Sequence, residues 1–135
     1  MQNPEKLRPD RPDQSVILVA DDDVMILNMI RVTLARDGYF VLTAQNGEEA
    51  LILSRSYPGE IHLLLTDVCM PRMSGIQAAK TISKERPGVC VLLMSGSFEE
   101  ENPGFPLVHK PFNSAKLSDT IKGLLPVYHK PRRST

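Results

Sequence analysis

Leu63-Leu64-Leu65-Thr66-Asp67-Val68-Cys69-Met70-Pro71 is an apolar run that stops on an acid and then turns on a proline. A short apolar run closed by a polar residue is how a strand buried on both faces of a parallel sheet reads, and in such sheets ligands gather at the carboxyl ends of the strands. That reading puts the carboxylate of Asp67 at a reactive edge. It also predicts that other strands deliver complementary groups to the same edge.

Upstream, Val16-Ile17-Leu18-Val19-Ala20 has the same character and ends on Asp21-Asp22-Asp23. Ile26, Leu27, Ile30 and Leu34 then recur at helical spacing up to Asp37-Gly38, where the glycine suits a left-handed helix stop. Residues 39–44 form a second strand. Asn46-Gly47-Glu48-Glu49 opens a second helix with a capping residue and a glutamate three positions on, and Pro58-Gly59 closes it. Downstream of the opening strand (residues 61–66), a helix from about Gly75 sets Ile76, Ala79 and Ile82 on one face. Residues 89–94 are unbroken apolar sequence running into Ser95-Gly96-Ser97. Residues 98–106, rich in acids and proline, offer at most one helical turn. Leu107-Val108-His109 is a short strand that delivers Lys110, and a last helix follows with Asn113 or Ser114 as cap and Leu117, Ile121, Leu124 and Leu125 inside. Strands alternating with helices predict an α/β fold, a doubly wound five-stranded parallel sheet covered on both faces.

Composition narrows the class further. At 135 residues, 41% apolar and 24% charged, the chain reads as one soluble domain (residues 15–125), with a flexible N-terminal arm (1–14) and a C-terminal tail (126–135). Sixteen basic and sixteen acidic residues cancel, which gives no electrostatic case for nucleic acid or membrane. With no apolar run of spanning length and no signal-peptide core, the expected location is cytoplasmic. Cys69 and Cys90 make no disulfide framework and are expected reduced. Met25 and Met29 read as core or helix-edge packing.

The predicted edge collects Asp21, Asp22, Asp67, Ser95 and Lys110. Carboxylates brought that close repel one another and call for a cation. Mg²⁺ fits, because a hard octahedral ion takes one or two carboxylates, a backbone carbonyl, waters and phosphate oxygen. Asp67, the most central acid, is then the candidate nucleophile toward phosphorus. Lys110 and the Ser95 hydroxyl would balance charge on the transferring group.

These residues resemble a known family. Val16 to Asp23, Leu63 to Pro71 with Met73-Ser74-Gly75, Val91-Leu92-Leu93-Met94-Ser95-Gly96, and Lys110-Pro111-Phe112 look like the four signature blocks of the bacterial two-component response-regulator receiver domain. The resemblance implies the flavodoxin-like strand order 2-1-3-4-5 and a phosphoacceptor, not an enzyme acting on other substrates. It implies that Asp67 takes a phosphoryl group from a phosphohistidine on a sensor histidine kinase or a histidine phosphotransfer protein. It further implies a Mg²⁺ site at Asp21, Asp22, Asp67 and the Cys69 backbone carbonyl, with Ser95 as switch hydroxyl and Lys110 as phosphate partner, often with a cis bond to Pro111. Asp23 stands where the family often has glutamate. Two departures stand out. Leu107 occupies a position that is usually aromatic, and only fourteen residues separate Ser95 from Lys110, so the helix between the fourth and fifth strands is expected to be shortened or absent. A stand-alone monomer with an altered output face is the expectation, the other reading being a receiver cut from a longer hybrid protein. The alternative is a pseudo-receiver that binds a protein without being phosphorylated. A flavodoxin-like electron carrier is disfavoured by acids where a phosphate loop would stand, and a haloacid-dehalogenase-type phosphatase by Cys69 in place of a second acid.

Overall fold

Alternation along the strands sorts one sheet's side chains into two cores. The structure, a computed structural model, describes residues 8–9, 11–96 and 104–125. In chain order the elements are β1 (Val16–Ala20), α1 (Val24–Arg36), β2 (Phe40–Ala44), α2 (Gly47–Ser56), β3 (Leu63–Asp67), α3 (Gly75–Glu85), β4 (Cys90–Ser95), β5 (Leu107–His109) and α4 (Ser114–Leu124). All strand pairs are parallel and the order is β2-β1-β3-β4-β5, the doubly wound arrangement read from the sequence. Val16, Leu18, Leu64, Val91 and Leu93 face α2 and α3, where Ala50, Leu53, Ala79 and Ile82 meet them. Ile17, Val19, Leu63, Leu65, Leu92 and Met94 face α1 and α4, against Leu27, Ile30, Leu34, Leu117 and Ile121. Each central strand is buried on both faces, which is why its sequence is a continuous apolar run and not an alternation.

The helices start and stop where local chemistry dictates. Asp23 caps α1, accepting from the Met25 and Ile26 amides. The chain leaves that helix through Gly38 at φ +98°, the left-handed conformation that glycine adopts without strain. Asn46 caps α2 by accepting from Glu49 N–H at 2.7 Å, while Glu49 Oε1 accepts from the Gln45 amide, a capping box displaced by one residue. For α4 the cap is Asn113, accepting from Lys116 N–H at 2.8 Å; the Ser114 hydroxyl instead meets that of Thr33 on α1 at 3.1 Å. Neither Cys69 nor Cys90 is in a disulfide.

One packing expectation is corrected. Met29 packs on the core, but Met25 is 83% exposed. It lies two residues before Leu27, about 200° round the helix from the buried stripe. The shortened helix expected within residues 98–106 falls mostly on 97–103, outside the described residues, as do residues 1–7, 10 and 126–135. Among the described residues, no helix is long and apolar enough to cross a membrane.

At the opposite end from the acidic edge, His62 ties three strands together. Its N–H donates to Val16 O at 2.8 Å, its carbonyl accepts from Cys90 N–H at 3.0 Å, and its Nδ1 accepts from Val16 N–H at 2.9 Å. Accepting at Nδ1 requires the neutral ring, with the proton on Nε2, which lies 3.6 Å from Glu60. Burial holds this imidazole below its ordinary range against the pull of Glu60. The unfolded chain therefore binds more protons than the folded one between the folded value and about 6.5, so His62 makes stability rise with pH across that window and fall as the medium is acidified. Denaturant melts at pH 8 and pH 5 should show wild type losing more stability on acidification than His62→Gln. Equal losses would mean that the ring is not held neutral.

Candidate functional site

Register alone brings the acidic groups level. Ala20 pairs with Thr66, so Asp21, one residue on, stands beside Asp67, the last residue of β3. Asp67 in turn pairs with Met94, and Ser95 with His109, so Lys110 leaves β5 just past the same edge. Lys110 starts two strands from β3, roughly 10 Å at the ordinary strand spacing, and only a long side chain crosses β4 to reach the acids. Its Nζ lies 2.9 Å from Asp21 Oδ2 and 3.3 Å from Asp67 Oδ1.

Asp21, Asp22 and Asp67 each present a carboxylate oxygen, and these atoms lie within 4.8 Å of one another. Asp21 is fully buried and Asp67 is 8% exposed, whereas Asp22 faces solvent. Asp21 also accepts from Asp23 N–H at 2.9 Å. For Asp67, burial is the dominant influence, and with the Asp21 and Asp22 charges it outweighs the attraction of Lys110, pushing the carboxyl up to about 6. Burial works against the Lys110 charge as well, but the hydrogen bond to Asp21 and the field of both carboxylates raise it overall. Two of the three carboxylates thus share one ammonium and the third has none of it, and a hard divalent cation coordinated by oxygen would complete the balance.

The residues carried from the sequence to this edge are therefore found there: Asp21, Asp22, Asp67, and Ser95, which is buried at the end of β4 with its carbonyl accepting from Lys110 N–H at 2.7 Å. The Lys110–Pro111 bond is cis. Cys69 lies two residues past Asp67 with its side chain exposed. Leu107 packs against the α2/α3 core as a partly buried aliphatic residue. Sequence reasoning missed what the glycines do. A Cβ on Gly75 would collide with the Asp67 carbonyl oxygen, and one on Gly47 with the Met73 carbonyl, so α3 and α2 close on the loop after β3 only because both positions lack a side chain. Each glycine stands at the first position of its helix, where the chain needs no left-handed conformation; that placement was the available signal. Asp23, quoted with the acids, is engaged as the cap of α1.

A doubly wound sheet with this acid and lysine set at its carboxyl edge defines a receiver domain of two-component signalling. The model of the response regulator receiver domain matches residues 17–122, and the chain belongs to that family. Response regulator RR06 of Streptococcus pneumoniae is 37% identical over 119 residues, covering 84% of this chain and 54% of its own length. The chain spans about half the length of the curated regulators it matches. A CheY-like receiver domain protein from Methanospirillum hungatei is similar at a TM-score of 0.78 and 28% identity, covering 88% of this chain and 99% of its own. Response regulator TrrA of Thermotoga maritima, solved in complex with Mg²⁺-BeF, is similar at a TM-score of 0.74 and 32% identity, covering 83% and 100%. Receiver domains take phosphoryl groups from histidine kinases or phosphotransfer proteins and bind Mg²⁺ at an acidic pocket.

The raised Asp67 carboxyl has a measurable cost in metal-free protein. The folded state holds this proton more tightly than the unfolded chain, so the stabilisation is complete below about 3.8 and is lost as pH rises through about 6. At pH 7.5 without metal, Asp67→Asn should be more stable than wild type by on the order of 2 kcal/mol, and the difference should shrink as pH falls below 6. A variant less stable at pH 7.5 would show that Lys110 already neutralises the site.

Proposed function

We propose that this chain is a phosphoacceptor in a two-component relay, with Asp67 receiving the phosphoryl group from a phosphohistidine. The observation that carries the reading is the convergence of three carboxylate oxygens within 4.8 Å of one another, two of them on a single lysine. An Asp67 oxygen attacks phosphorus, the P–N bond to the donor histidine breaks, and the imidazole leaves with the bonding pair. Asp21, Asp22, Asp67 and the Cys69 carbonyl would hold Mg²⁺, which offsets negative charge on the acids and on the phosphoryl oxygens when bound. Lys110, already at 3.3 Å from Asp67, exchanges part of its carboxylate pairing for the new dianion. Ser95, ending β4 beside Asp67, is the hydroxyl assigned to a phosphoryl oxygen.

Exposed apolar residues begin immediately after the acids: Val24 is 58% and Met25 83% exposed in the first turn of α1. They supply an apolar rim for the donor to dock against while its histidine reaches Asp67. The exposure that removes Met25 from the core is thereby given a use.

Incubation with acetyl phosphate and Mg²⁺ should add one phosphoryl group by mass, and EDTA should abolish the addition. Asp67→Asn should remain unlabelled, while Lys110→Ala should keep Mg²⁺ binding and impair the response to the added charge. Labelling of Asp67→Asn at the wild-type rate would overturn the assignment. No labelling of wild type by any donor would favour the pseudo-receiver reading.

A further inference from the structure

Among the described residues, Arg72 is the non-glycine residue at positive φ, at 75°. The Met73 amide donates to Pro71 O at 2.8 Å, so Arg72 is the centre of a tight three-residue turn of the rare positive-φ kind. An L side chain is strained there, and such strain persists only where the surroundings over-determine it. Glycine would make this turn freely, so an arginine here calls for a compensating contact.

Two contacts from α2 supply it. The Met73 carbonyl packs against Gly47, where no Cβ would fit. Arg72 Nη1 donates to Glu48 Oε1 at 2.6 Å. Glu48 is in the first turn of α2, whose start is fixed by Asn46 accepting from Glu49 N–H and by Glu49 Oε1 accepting from Gln45 N–H, so the backbone that carries the anchor is held. On its other side the turn belongs to the loop that carries Cys69. That loop is tied to the sheet by Val68 N–H to Met94 O and closed by Gly75 N–H to Val68 O, both at 2.9 Å. The brace from α2 thus ends three residues from the Cys69 carbonyl and five from Asp67.

We infer that Arg72 is a positioning residue for phosphoryl transfer: through Glu48 it holds the strained turn, and with it the Cys69 backbone, in the geometry that the Asp67 site requires. The inference rests on the reading of Asp67 as phosphoacceptor. It also makes the first turn of α2 a second place from which the site can be tuned. Both partners are largely solvent-exposed, which limits the effect of the pair to a few-fold.

The test uses the full chain with Glu48→Gln, Arg72→Gly, Arg72→Lys and, as control, Glu85→Gln. The control breaks an exposed Arg55–Glu85 pair of 2.7 Å at the far end of α2. Glu48→Gln and Arg72→Gly should each weaken Mg²⁺ binding by calorimetry and slow labelling by acetyl phosphate about two- to five-fold. Both should speed amide exchange at Met73 in metal-free protein. Arg72→Gly should do this without lowering the metal-free melting temperature, because it relieves the backbone strain. Arg72→Lys should retain most of the wild-type values, and Glu85→Gln should leave Mg²⁺ affinity and labelling unchanged. The inference is overturned if Arg72→Gly matches Glu85→Gln in Mg²⁺ affinity and rate, or if all losses simply track melting temperature. Should wild type fail to label at all, the acceptor reading falls, and Met73 exchange with Mg²⁺ affinity still decides whether the brace exists.

Discussion

Two buried carboxylates against one lysine is the constraint on which this molecule is arranged. Asp21 has no exposure to water and Asp67 almost none, yet among the described residues the one cation that meets them is the Lys110 ammonium, which approaches Asp21 more closely than Asp67. Removing ionised carboxylates from water is expensive unless they are paired and hydrogen-bonded. Asp21 meets that demand with Lys110 and the Asp23 amide. Asp67 meets it only in part, and its raised carboxyl pKa is the measure of the deficit. A protein selected for stability alone would have no reason to keep such a group. A receiver domain that binds a cation at an acidic pocket does, because the deficit of positive charge is what favours the incoming ion.

The rest of the fold supplies rigidity to that arrangement. β1 and β3 are fully buried, so the ends from which Asp21 and Asp67 project cannot shift without disturbing both cores. Lys110 arrives on the short edge strand β5, bonded through its amide to Ser95, and thus moves with the end of β4. Between β3 and α3 the chain is compressed so tightly that Gly75 lies against the Asp67 carbonyl and Gly47 against that of Met73. Asp67, Lys110 and the loop behind them are therefore parts of one packed unit. Val24 and Met25 provide a softer, exposed rim alongside.

Much of this was legible in the sequence because burial on both faces leaves a strong mark. Runs such as Val16 to Ala20 and Leu63 to Leu65 admit few other readings, and polar residues at their ends align once the sheet is parallel. Caps were legible for the same local reason, as at Asn46 and Gly38, although Asn113 and Ser114 could not be told apart until Ser114 was found pairing with Thr33. What escaped were interactions set by tertiary approach. No periodicity announces that Gly75 must face a carbonyl oxygen, that Glu48 will grip Arg72 from 24 residues away, or that His62 will serve Val16 as an acceptor. The packing assigned to Met25 failed because methionine spacing near a helix start does not report on which side of the buried stripe the residue falls.

The claim that an uncompensated carboxylate cluster is the working feature of the molecule is tested most directly by following the melting temperature during titration with Mg²⁺. A site assembled only in the folded state gains about 2.7 kcal/mol of stability at a hundredfold excess over the dissociation constant. The account predicts a stabilisation of that order in wild type and its loss in Asp22→Ala, whose carboxylate is the exposed member of the cluster. A melting temperature unmoved by millimolar Mg²⁺, or raised equally in Asp22→Ala, would contradict it.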